Sequence, residues 1–177
     1  MNGRAEVWRM KQRLDATFTR AEQVGSDLEL QSDFARYLCI LVSGYLEKAI
    51  TALVLEHSAR KSAPSVQRFV ESQTRRLTNV NSQRLKELLG SFDPDWQQDL
   101  DTFLVDERKD AVDSVVSLRN SIAHGQSVGI TYIRVLRYYE QIQKVIDHVA
   151  DLCAPKEQVI DQEVRSLMRY RQSLLLG

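Results

Sequence analysis

The chain has 177 residues, 43% apolar and 27% charged, and its 24 Lys+Arg balance its 24 Asp+Glu to zero formal net charge. That length supports one domain with a core of its own. The charge balance excludes the basic coat of a general nucleic-acid binder and leaves room only for a local basic patch. Two cysteines, Cys39 and Cys153, lie far apart with no Cys-x-x-Cys or His/Cys spacing, so no metal site is implied. They read as small core residues in a reducing compartment.

The N-terminus, "MNGRAEVWRMKQRLD", has no apolar core of the kind a signal peptide carries, and the expected location is the cytoplasm. Residues 5–23 carry Val7, Leu14, Phe18 and Ala21 at helical spacing. "SDLE" at Ser26–Glu29 has the form of a capping box, with Ser26 as the cap and Glu29 reaching back. It opens a long helix expected to end near Ser58. The most apolar run, "YLCILVSGYLEKAITALVL", lies in that helix. Glu47 and Lys48 interrupt it, so it reads as a buried helix and no membrane span is expected.

A third helix is expected after Ala63-Pro64, with proline near its start. "NSQRLKELLG" reads as a short helix closed by Gly90. "DPDWQQDLDTFL" follows, with Asp93 as N-cap and Pro94 at the first helical position. A sixth helix spans Asp106 to Ala123, and Gly125 and Gly129 mark the loop after it. Thr131 is the expected N-cap of the clearest amphipathic helix in the chain. Its stripe is Val135, Tyr138, Tyr139, Ile142, Val145, Ile146, Val149 and Leu152, and Pro155 ends it. His148 flanks this stripe and reads as structural. Residues 157–175 give a last amphipathic segment with Ile160, Val164, Leu167 and Met168. Leu174, Leu175 and Leu176 follow, and they are expected to dock on the bundle or on a partner. No convincing period-2 strand occurs. The fold class is all-α: an antiparallel helical bundle with short additional helices.

The sixth segment holds an anomaly. Its apolar stripe runs Val112, Val115, Val116, then Ile122 and Ala123, and position 119 belongs to it by spacing, yet the residue is arginine. A buried arginine keeps its charge and needs a partner. Asn120 follows it, and His124 is four beyond Asn120 on the same face. A regular helix would hold Arg119 and His124 about 140° apart. They converge only if the helix breaks near His124, which Gly125 permits. Such a group suits phosphodiester cleavage: His124 as general base or acid, Arg119 stabilising phosphate charge, Asn120 orienting. One histidine does not easily perform both proton transfers, and a two-fold dimer would supply a second. Glu47 is a candidate anion for holding Arg119 in place. Arg134 and Arg137 share a face after the loop and, with Tyr138 nearby, are candidate RNA-backbone contacts. Tyr138 and Tyr139 lie on the stripe and are assigned to the core.

"SLRNSIAHG" followed by "TYIRVLRYYEQIQKVIDHV" resembles the HEPN superfamily of small helical bundles, in the branch associated with ribonuclease and defence genes. The resemblance covers roughly Ser26 to Cys153, so the whole chain reads as one HEPN-like domain with a helical appendage at about 156–175. In that superfamily an Arg, often followed by a polar residue, and a His four to six positions later form the active motif. Arg119, Asn120 and His124 match it residue by residue. The resemblance implies a metal-independent, cofactor-free endoribonuclease, homodimeric, acting as a toxin or in antiviral defence. The implied partners are RNA, a second copy, and an antitoxin or other defence protein. The alternative is a non-catalytic helical module that binds a nucleotide, an RNA or a protein partner in such complexes.

Overall fold

The computed structural model describes residues 3–23, 27–75 and 77–155, and all regular structure among them is helical. The helices are α1 (Gly3–Glu22), α2 (Leu28–Lys61), α3 (Pro64–Thr74), α4 (Ser82–Gly90), α5 (Pro94–Phe103), α6 (Asp106–Ala123) and α7 (Tyr132–Leu152). The expected appendage at 156–175 lies outside the described residues.

Four long helices form the bundle, and pairwise contacts fix their directions. Arg4 of α1 donates to the carbonyl of Ala150 at 2.6 Å, while Tyr132, the first residue of α7, donates to Glu22 at 2.8 Å. α1 and α7 are therefore antiparallel. α6 and α7 are antiparallel as well, since Gln141 donates to Glu107 near one end and a short loop joins them at the other. α2 occupies the middle and packs against α1, α6 and α7. Leu38, Val42, Leu46, Ile50 and Leu53 of α2 are at most 1% exposed. α2 is also the one helix among the described residues long and apolar enough to cross a membrane, and most of its apolar window is buried inside the bundle. The long apolar run thus belongs to the core, because three neighbouring helices surround it.

The α7 stripe is buried from Val135 to Val149, Tyr138 and Tyr139 included, and Leu152 at its end is half-buried. Tyr139 stacks on Phe18 with centroids 4.8 Å apart and donates to Asp15 at 2.6 Å, so its hydroxyl is satisfied where its ring is buried. His148 is structural: its ring stacks on Phe103 at 3.8 Å and its Nε2 bonds Asp99.

Several local expectations are corrected. The N-cap of α2 is Asp27, not Ser26, which lies outside the described residues; the Asp27 carboxylate accepts from the amides of Glu29 and Leu30 at 3.0 and 3.1 Å. A carboxylate caps two amides and also complements the helix dipole, which a hydroxyl does not. α2 continues past Ser58 to Lys61, and Ser58 is buried. Gly90 is the last residue of α4, and the helix is capped by Ser91 in right-handed geometry. Gly90 packs closely on the Gln97 side chain of α5, whose Oε1 would have to swing away to admit a Cβ. Asp93 and Thr131 cap α5 and α7 as expected, accepting from Asp95 and Arg134 amides.

Candidate active site

α6 ends in a complete Schellman motif. The amide of Gly125 donates to Ile122 at 3.0 Å and that of Gln126 to Ser121 at 2.9 Å, with Gly125 at φ +71°. This is the pairing a left-handed residue after the cap makes possible. His124 is the C-cap itself, at φ −90°, ψ 12°, and is exposed. The break at Gly125 is therefore present, but helical geometry persists through Ala123, so only His124 leaves the regular path.

Arg119 is half-buried rather than sealed in the core. Ile122 is also half-buried and Ala123 is exposed, so the fully buried stripe of α6 stops at Val116. The C-terminal end of α6 is only partly covered, with Leu118 and Ile122 still against the core, which lets an arginine occupy a stripe position without full desolvation. Its Nη1 donates to Oδ1 of Asn120 at 3.0 Å, and among the described residues no carboxylate pairs with it. No hydrogen bond joins Arg119 to His124 in the single chain. The convergence of those two side chains is not realised as a hydrogen bond.

Glu47 does not hold Arg119. Its Oε1 accepts from the backbone amide of Asn79 at 2.7 Å, and Asn79 sits at φ +56°. The carboxylate braces the strained entry to α4, and the physical reason is proximity: the α3–α4 connection passes beside the middle of α2. Arg134 and Arg137 are exposed and share a groove of about 660 Å³ with Tyr138, Glu107 and Asp110. Arg134 Nε donates to the Tyr138 hydroxyl at 2.8 Å, and the guanidinium lies 5.7 Å from that ring's centroid. The two arginines thus come together as expected, but acidic side chains of α6 face them, and neither Arg119 nor His124 lines that groove.

A different groove along α6 does reach the motif. It holds about 520 Å³ between α6 and the start of α4, lined by Asn120, Ser117, Asp113 and Lys109 on one side and Asn81 and Gln83 on the other. Asp113 ties the walls together, accepting from the amide and hydroxyl of Ser82 at 2.8 and 2.9 Å and from Lys109 at 2.8 Å. Burial raises the Asp113 pKa, but these bonds outweigh it and hold the carboxyl below its ordinary value. Ser117 was legible in the sequence, three positions before Asn120 and seven before His124 on one face. Asn81 and Gln83 were not, because only the tertiary packing of α4 brings them to α6.

Both cysteines are buried thiols. Burial pushes Cys39 up to about 11 and Cys153 up to about 12, so neither is a nucleophile near neutral pH. Among the described residues no group of three or more His, Cys, Asp or Glu side chains is placed to hold a metal ion.

The family model described as RiboL-PSP-HEPN matches residues 7–154, which covers the bundle from α1 through α7 and includes the whole motif. The match begins earlier than Ser26, because α1 is packed into the same core. No curated protein and no solved structure matches the chain. The chain belongs to the HEPN family.

Proposed function

We propose that this HEPN-family chain is an endoribonuclease that cleaves single-stranded RNA by transesterification at a site shared by two copies. The observation that carries this reading is the pair Arg119–Asn120. The guanidinium has no carboxylate partner among the described residues and is held by a neutral amide, one turn from an exposed imidazole at His124. A cation left unneutralised at a surface is available to a phosphate. The ribose 2′-hydroxyl attacks the adjacent phosphorus and gives its proton to one imidazole. The P–O5′ bond breaks, and the 5′-oxygen takes a proton from a second, protonated imidazole. The products are a 2′,3′-cyclic phosphate and a 5′-hydroxyl. Arg119 stabilises the charge on the non-bridging oxygens.

Two proton transfers and one motif histidine per chain favour a homodimer in which His124 of the partner subunit serves as the second group. The exposed apolar side chains of Leu30, Tyr37 and Ile40 on α2 support such an interface. Arg137, unpaired among the described residues, steers the strand further along. Family membership supports a role as a toxin or antiviral effector in the cytoplasm, with an antitoxin or other defence protein as partner.

The test is cleavage of single-stranded RNA in excess chelator by the wild type, Arg119→Ala and His124→Ala, with the folded state of each checked by circular dichroism. Loss of cleavage in both variants is expected. A folded His124→Ala protein that cleaves at the wild-type rate sinks the assignment. RNA binding without cleavage by the wild type assigns the chain to the non-catalytic members of its family.

A further inference from the structure

The α4–α6 groove has features that set it apart from a phosphate site. Its two charges, Lys109 and Asp113, neutralise each other at 2.8 Å, so the groove offers a polyanion no net attraction. What remains is hydrogen-bonding capacity. Asn120 spends its Oδ1 on Arg119 and keeps its amide N–H groups. Gln83 spends its amide nitrogen on Glu87 at 2.8 Å and keeps its oxygen. Asn81 spends its oxygen on the Arg84 amide at 2.8 Å and keeps its N–H groups. Ser117 is exposed on the same wall and keeps both roles. Val116 reaches the groove but is only 5% exposed, so the lining is chiefly polar. Free donors and an acceptor gathered in one groove suit the edge of a heteroaromatic ring that carries the complementary groups.

We infer that the α4–α6 groove binds a nucleobase of single-stranded RNA next to the cleaved bond, and that Gln83 and Ser117 read its edge. This rests on the endoribonuclease reading for the word "cleaved", and it deepens that reading by dividing the labour at α6. Arg119 takes the phosphate and the neutral groove takes the base, with Asn120 bridging the two because its Oδ1 faces the guanidinium while its residue lines the groove.

The test is binding, so that it does not depend on catalysis. Four fluorescein-labelled RNA hexamers, each of a single base type, are titrated against the full chain carrying His124→Ala, alone and with Gln83→Ala or Ser117→Ala added. Both added changes are at exposed sites without cross-helix bonds, and neither position belongs to the catalytic motif. The His124→Ala protein is expected to bind one hexamer about five- to tenfold more tightly than the weakest, the range one or two base-edge hydrogen bonds supply. Gln83→Ala or Ser117→Ala is expected to shrink that ratio to within about twofold while leaving the weakest affinity unchanged. Equal binding of all four hexamers, or an undiminished ratio in both variants, overturns the inference. A ratio that collapses as expected sustains base reading by Gln83 and Ser117, and absence of cleavage by the wild-type chain then removes only the catalytic reading.

Discussion

The Arg119 guanidinium donates to Oδ1 of Asn120 at 3.0 Å, so the two adjacent members of the motif are partners to each other. Consecutive helical residues point about 100° apart, and only a long side chain folding back round the helix can make this bond. It fixes the arginine's head while leaving its charge uncompensated. His124→Ala should therefore lower RNA cleavage by about 10²–10⁴-fold, the usual contribution of a positioned acid–base group. Arg119→Ala should act on a similar scale. Asn120→Ala removes a tether rather than a reacting group and should cost about tenfold, since each 1.36 kcal/mol of transition-state stabilisation is a factor of ten. Because His124 is exposed, His124→Ala should leave thermal stability within about 0.5 kcal/mol of wild type. Single-turnover cleavage and a denaturant melt on the same preparations separate the two effects.

Gly125 controls how His124 leaves the helix. At φ +71° a side chain is strained even though nothing lies within 4 Å of where its Cβ would be. Gly125→Ala should cost roughly 1–2 kcal/mol through backbone strain alone. For a domain of this size that lowers the melting temperature by about 2–4 °C per kcal/mol. Gly125→Asn, which tolerates the left-handed region better, should recover part of the loss. If Gly125→Ala melts like wild type, the Schellman geometry does not describe the end of α6.

Glu47 braces the α3–α4 connection through the Asn79 amide. Glu47→Ala leaves that amide without its charged partner and should destabilise the fold by about 1.5–3 kcal/mol. Glu47→Gln keeps an acceptor and should cost less. Neither change touches the motif, so cleavage by the folded fraction should stay at wild-type level. A selective loss of cleavage in stable Glu47→Gln would instead restore a link between Glu47 and Arg119.

The cysteines give a pH signature. Burial raises both thiol pKa values, to about 11 for Cys39 and about 12 for Cys153. The unfolded thiols titrate near 8.5. A folded pKa raised above the unfolded one gives stability that is complete below the unfolded value and drains away as pH rises toward the folded value. Stability should therefore fall from about pH 8.5 upward. In native protein at pH 8, a thiol reagent such as dithionitrobenzoate should titrate almost no sulfhydryl, and two after denaturation. Rapid reaction in the native state would show that the α2 or α7 packing opens readily.

Periodicity was enough to place the helices, because a side chain's face on a helix depends on neighbours three and four positions away. It also identified the α7 stripe, while residue type marked the caps Asp93 and Thr131 and the helix end at His124–Gly125. It failed where the partner comes from elsewhere in the chain. Glu47 looked free to meet Arg119 because nothing near it in sequence claims its carboxylate, while the amide that does so is Asn79, 32 residues away. The stripe that marked Arg119 as a buried charge was drawn beyond Val116, where full burial ends, since how far a helix is covered is set by its neighbours. The motif Arg119–Asn120–His124 was written in six consecutive positions, and the family in that motif together with the helical pattern around it. That Arg119 rests on Asn120 rather than on an acid, and that Asn120 opens into a groove walled by α4, was decided only by packing, because both depend on which distant backbone and side-chain groups the fold brings within hydrogen-bonding reach.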